Sequence, residues 1–208
     1  MRLKFNSLKW LFFIFSMMGF TLSFILFLFP TNDLYGLFFN DSQTFQNLTD
    51  GKQVALPQQK DFGLPVRLKI SNINVDTTLE SVGLTSDGAV DVPKKQDNAA
   101  WFNLGPRPGE IGNAVITGHY GWKDKKPSVF DDLYKLREGD KLYIEDDQGK
   151  TITFVVRTSQ RYDPNAEASE VFVSNDGKSH LNLITCEGVW NDVTKSYSKR
   201  LVVFADKE

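Results

Sequence analysis

The sequence predicts a mainly β domain, a closed or nearly closed eight-stranded β-barrel with short helices, preceded by one N-terminal transmembrane helix. Three observations lead there. From Pro65 onward, short apolar or alternating runs recur between turn signals, the pattern of many brief strands. The segments between them have room only for helical fragments, and about eight strands with so little helix point to a barrel. Ahead of the domain, the stretch from Trp10 to Phe29 carries no charge at all.

That apolar stretch decides the organisation of the chain. At about 1.5 Å per residue a helix over it spans roughly 30 Å, the thickness of a bilayer core. Arg2, Lys4 and Lys9 precede it and the first acid, Asp33, follows it, which orients the N-terminus to the cytoplasm and the bulk of the chain outside. A cleaved signal peptide has an apolar region of only about 7–15 residues ending in small residues. FLFPTND offers no such site, so an uncleaved anchor is expected. The divisions are residues 1–9 as the cytoplasmic N-terminus, 10–30 as the transmembrane anchor, 31–63 as a juxtamembrane stalk, and 64–208 as the barrel. For 31–63 two readings stay open, a packing or interfacial helix near Tyr35–Phe39 and a disordered tether.

Within the domain, VRLKISNINV (66–75) and TTLESVGL (77–84) read as strands and SDG (86–88) as a turn. NAVITGH (113–119) is a short buried strand after the loop GPRPGEIG. SVFDDLYKL (128–136) has the apolar spacing of one or two helical turns. KLYIEDDQGKTITFVVRTSQRY reads as a hairpin reversing at DDQGK, and DPNAEASE as a further helical turn with Asp163 as its cap. HLNLITC (180–186) and RLVVFA (200–205) are the last strands. A net charge of −2 gives no reason to expect a nucleic-acid partner.

Chemistry centres on Cys186, the only cysteine, read as standing where a buried strand passes into the loop EGVWN. An unpaired cysteine outside the cell suggests a reactive thiol, while buried free cysteines are often inert; count and compartment leave both open. A reactive thiol needs a base or an ion-pair partner. His180, six residues upstream on the same strand, lies roughly 20 Å away at about 3.3 Å per residue and fits the opposite end of the sheet. His119 closes the strand NAVITGH between Gly118 and Gly121, which suits projection into a cleft. Arg200 opens the strand after Cys186, and an antiparallel return brings the two together. Each of His119 and Arg200 alone also fits an ordinary strand-end residue.

Together these residues resemble the sortases, membrane-anchored cysteine transpeptidases of Gram-positive bacteria. LNLITC stands where the family has T-L-x-T-C, His119 in ITGH matches the family's histidine, and Arg200 in SKRLVVFA its arginine. The run AAWFNLGPRPGEIG resembles the class F subgroup, whereas Leu181 and Tyr120-Gly121 depart from the usual patterns. The resemblance implies a thiol protease-like transpeptidase that attacks an LPXTG-type sorting signal through Cys186. It would hold a thioester and pass the protein to an amine on a peptidoglycan precursor or a pilin. His119 would be acid and then base, and Arg200 would stabilise the oxyanion. Thr185 is a weaker substrate contact because alternation points it away from Cys186. Val189 and Trp190 would cover apolar substrate side chains, although Trp190 packing on the barrel fits equally. No cofactor and no metal are expected, Asp131-Asp132 and Asp146-Asp147 reading as solvated turns. The alternatives are another anchored thiol acyl-transferase, such as an L,D-transpeptidase, whose glycine before the cysteine is missing in ITCEGVW, and a non-catalytic binding barrel.

Overall fold

A computed structural model describes residues 62–122 and 126–208. The expected anchor, the cytoplasmic residues and all of the stalk up to 61 lie outside the described residues.

Eight strands form a closed barrel in the order β1-β2-β3-β4-β7-β8-β6-β5. β1 (Pro65–Ile70) and β2 (Val75–Val82) are two strands where 66–75 was expected to be one. A 3-10 turn at Ser71–Ile73 and Asn74 in the left-handed region (φ 54°) reverse the chain there. Asparagine tolerates that conformation better than most side chains, and this is the local reason for the hairpin. β3 (Ala99–Phe102) has only four residues and runs parallel to β2 and antiparallel to β4 (Gly112–Gly118). β5 (Lys141–Asp146) and β6 (Thr151–Tyr162) form the expected hairpin, and β1 pairs with β5 to close the barrel.

The last two strands are longer than expected. β7 (Ser179–Asn191) and β8 (Ser196–Lys207) pair antiparallel almost throughout, so EGVWN is strand and not loop. Gly188, at φ 88°, sits in an irregularity between Glu187 and Trp190, and such bulges favour glycine. The connection is a tight turn in which Asn191 Oδ1 accepts from the amides of Val193 and Thr194. The helical stretches expected at 128–136 and 163–170 reduce to 3-10 turns at Leu133–Lys135 and Ser169–Val171. Asp163 caps neither; its carboxylate pairs with Lys199 at 2.6 Å.

Alternation splits the buried side chains into two clusters. Leu68, Ile70, Ile116, Leu142, Phe154, Leu181, Leu183 and Val203 fill the barrel. Val115, Ile184, Val202 and Phe204 point outward from the same strands and are covered by Ala168, Val171 and Phe172 from the β6–β7 connection. An irregularity between Val156 and Thr158 switches β6 from one face to the other, so that Phe154 packs inside the barrel and Tyr162 against the outer cluster.

The domain also takes in the last residues assigned to the stalk. Phe62 is 6% exposed within the barrel core, Arg107 donates to its carbonyl at 2.7 Å, and the Gly63 amide donates to Asp146 Oδ2 at 3.2 Å. Truncating Phe62→Ala should lower unfolding free energy by about 3–5 kcal/mol in chemical denaturation. No measurable loss would put residue 62 outside the cooperative unit.

Candidate active site

Cys186 sits mid-strand, at the point where β7 and β8 leave the rest of the barrel. The ladder of β7 with β4 reaches Thr117↔Ile184, and that of β8 with β6 reaches Tyr162↔Arg200. Beyond these pairs the two strands continue, among the described residues, only with each other, as a ribbon. Cys186 and Arg200 are register partners at the root of that ribbon. Glu187, the next residue, accepts two hydrogen bonds from Arg161 of β6, at 2.6 and 2.9 Å, and pins the root to the barrel.

A cleft of about 580 Å³ opens at this rim, lined among others by His119, Cys186, Arg200, Tyr120, Trp190 and Tyr197. The structure thus brings together the three residues singled out from sequence. His119 lies just past β4, and its Nε2 is 2.8 Å from the carbonyl oxygen of Pro93. A carbonyl can only accept, so Nε2 carries the hydrogen and Nδ1 is left as the nitrogen that can gain or lose a proton. The following turn is held from behind. Phe130 donates its amide to the His119 carbonyl, Gly121 donates its amide to Asp131 Oδ1 at 2.7 Å, and the Ser128 hydroxyl donates to the Gly121 carbonyl. Gly121 needs its own residue type, because its φ is 91° and a Cβ there would run into the Tyr197 hydroxyl.

Arg200 is only 4% exposed. Nη1 donates to the carbonyls of Tyr197 and Lys199 and Nη2 to the Ser196 hydroxyl, while Nε is buried without a partner among the described residues. Among the described residues none of its bonds goes to a carboxylate. A buried cation normally finds an anion, and this one has only neutral dipoles. Among the described residues, the positive charge directly across the ladder from the thiol therefore has no carboxylate hydrogen-bonded to it.

Tyr197 is the site residue that sequence reasoning missed. Its ring meets Tyr120 and Trp190 edge-on, each at a centroid distance of 5.1 Å. Burial pushes its phenol above the ordinary value, with Cys186, Tyr120 and Asp131 adding to the effect, so it stays protonated through neutral pH. Tyr120 is likewise pushed up, by burial first and then by Glu187, Asp131 and Tyr134. The bulge at Gly188 hides these neighbours, because it breaks the alternation from which facing residues are read.

The expected substrate contacts are placed unequally. Trp190 lines the cleft and packs on Tyr197 of the ribbon. Val189 is 76% exposed and is not part of the cleft wall. Thr185 is corrected: it is 1% exposed, its hydroxyl donates to the Gly118 carbonyl at 2.8 Å, and it braces the end of β4 instead of lining the cleft. Strand alternation puts it on the opposite face from Cys186. The acid pairs are not simply solvated turns either. Asp146 is buried and accepts from the amides of Gly63, Gln148 and Lys150, and Asp131 holds Gly121. Among the described residues no three His, Cys, Asp or Glu side chains gather as a metal site.

Comparison with known proteins gives a family match. The family model described as the sortase domain matches residues 68–208. Sortase A of Bacillus anthracis is 34% identical over 95 residues, a match covering 46% of this chain and 40% of that relative, so the chain aligns with less than half of its length. The solved structure of sortase C2 from the group B Streptococcus pilus island 1 superposes with a TM-score of 0.55 at 24% identity, covering 72% of this chain and 77% of that one. Sortase C-1 of Actinomyces oris superposes with a TM-score of 0.55 at 24% identity, covering 69% and 74% of the two chains. At such identities the superpositions show the fold, and the class F likeness of residues 99–112 rests on sequence alone.

The clamp behind His119 is testable. Asp131→Ala leaves the Gly121 amide without its acceptor, and hydrogen exchange at that amide should accelerate about 10-fold or more, as the loss of a bond to a charged group implies. Unchanged exchange would mean that the turn is held without Asp131.

Proposed function

The chain belongs to the sortase family, and on that premise we propose that it is a cysteine transpeptidase that joins a sorting-signal protein to an amine. One observation carries this reading beyond the family: the only thiol stands in register with a buried guanidinium that has no carboxylate partner among the described residues. A catalyst of acyl transfer needs a fixed positive dipole where negative charge develops, and such a group is most effective where water is excluded.

The chemistry follows from the groups in the cleft. The Cys186 sulfur, as thiolate, attacks the carbonyl carbon after threonine of an LPXTG-type signal, forming a C–S bond and an oxyanion. Arg200 faces that oxyanion with N–H donors. His119, with Nε2–H anchored on Pro93, uses Nδ1 to donate a proton to the departing amine as the C–N bond breaks. A thioester remains. The incoming amine attacks it, His119 Nδ1 takes the proton back, and the C–S bond breaks to release Cys186. The acceptor is an amine of a peptidoglycan precursor or a pilin. The apolar run over residues 10–30 tethers the domain on the outer side of a membrane, where substrate and acceptor share the same surface. Trp190 and Tyr197 supply the apolar wall beside the reacting carbonyl.

The test uses the full chain with an LPXTG-type peptide and an oligoglycine amine, followed by mass spectrometry. A joined product is expected from the wild type and none from Cys186→Ala, with His119→Ala slower by about 100-fold or more, the usual scale for a lost general acid–base. A product that persists in Cys186→Ala would overturn the thioester mechanism.

A further inference from the structure

Cys186 stands on the middle one of three neighbouring strands, and each outer strand brings one wall of the catalytic cleft. In the order β4-β7-β8, His119 arrives from the β4 side and Arg200 from the β8 side. The β4 wall also holds Gln96, from the segment that leads into β3, and its amide is the only side-chain carbonyl lining the cleft among the described residues. The steps assigned to Cys186, His119 and Arg200 leave it unused.

The surroundings of Gln96 fix both its place and its orientation. Glu80 of β2 accepts from the amides of Lys94 and Lys95 and from Asn98 Nδ2, at 2.9, 3.3 and 2.9 Å, and the Thr77 hydroxyl donates to the Asp97 carbonyl at 2.7 Å. Gln96 is also bracketed with His119. The Val129 amide donates to the Gln96 carbonyl and the Phe130 amide, one residue on, to the His119 carbonyl, both at 3.1 Å. The side chain follows from donor and acceptor chemistry. Ser128 gives its hydroxyl hydrogen to the Gly121 carbonyl, so its oxygen can only accept from Gln96, and the donating atom is Nε2. With Nε2 turned to Ser128 behind the His119 turn, the end of the amide left for the cleft is Oε1. Among the described residues no donor reaches it.

The geometry of an amide says what that oxygen meets. In a trans peptide the C=O and the N–H point in opposite directions. A scissile carbonyl turned to Arg200 on the β8 wall therefore turns its N–H to the β4 wall. His119 enters acylation as the acid, with Nδ1 protonated, and cannot accept that hydrogen. Gln96 Oε1 can.

We propose that Gln96 is a further catalytic residue, its Oε1 accepting the N–H of the scissile amide and then of the departing and incoming amines. The inference rests on the transpeptidase reading. As the C–N bond breaks, the nitrogen keeps its N–H on Gln96 and its lone pair, turned to His119, takes the Nδ1 proton. The incoming amine is held in the same way and loses a proton to Nδ1 as it attacks the thioester.

The test compares an LPXTG-type peptide with its ester analogue, in which oxygen replaces the scissile N–H, on the full chain with and without Gln96→Met. Single-turnover acylation of Cys186 is followed by mass spectrometry. The ester differs in intrinsic reactivity, so the ratio of the two proteins on each peptide carries the answer. Gln96→Met should slow acylation by the amide about fivefold more than acylation by the ester, the scale of one net hydrogen bond. A looser His119 turn, from the lost bond to Ser128, would slow both peptides alike and cancels in that comparison. Equal slowing of both peptides, or none, would overturn the proposal. Binding to Cys186→Ala separates it from the reading beneath it: adding Gln96→Met should raise Kd about fivefold for the amide and leave it unchanged for the ester. That Kd pattern with no acyl-enzyme from the wild type would remove the transpeptidase reading and keep the contact, and acylation with equal slowing would do the reverse.

Discussion

Arg200 holds a positive charge inside the protein with carbonyls and a hydroxyl as its only partners among the described residues, and the organisation of the site depends on how that charge is kept there. Replacing its neutral acceptors with a carboxylate would relieve the charge and quench it at once. The bonds to Tyr197, Lys199 and Ser196 instead fix the fork while leaving its charge available. All three acceptors belong to β8 itself, so the extension of that strand past the barrel is what makes the arrangement possible.

The barrel supplies the other half of the constraint. β4 and β6 stop pairing near residues 117 and 162, while β7 and β8 continue. Cys186 and Arg200 therefore stand at the last rung backed by neighbours, rigid below and open above. His119 arrives from β4, the strand next to β7, and its turn is clamped by Asp131 and Ser128. Three residues far apart in sequence meet because three strands end or detach at one rim.

Much of this was legible in the sequence, for identifiable reasons. Alternation in VRLKI and TITFVV reveals strands buried on one face, and the continuous apolar run in RLVVFA a strand buried on both. The return from Cys186 to Arg200 needs only an antiparallel connection, and the register confirms their pairing. What escaped was set by local geometry or by the main chain. AAWF is short and three of its four residues are buried, so β3 shows no alternation. Gly188 reads as a loop residue, yet it is a bulge inside a continuous strand, and this concealed both the ribbon and Tyr197. The Pro93 carbonyl that orients His119 has no side-chain signature at all. Phe62, in a polar stretch ahead of the domain, gives no pattern that marks it as core.

The role of the uncompensated guanidinium is the central claim, and single-turnover acylation of Cys186 in wild type and Arg200→Lys tests it most directly. Lysine keeps a positive charge but loses the planar fork and its several N–H donors. The account predicts acylation slower by about 100-fold or more, the cost of removing an oxyanion donor, with substrate Kd changed only a few-fold. An unchanged acylation rate, or a loss confined to Kd, would contradict it.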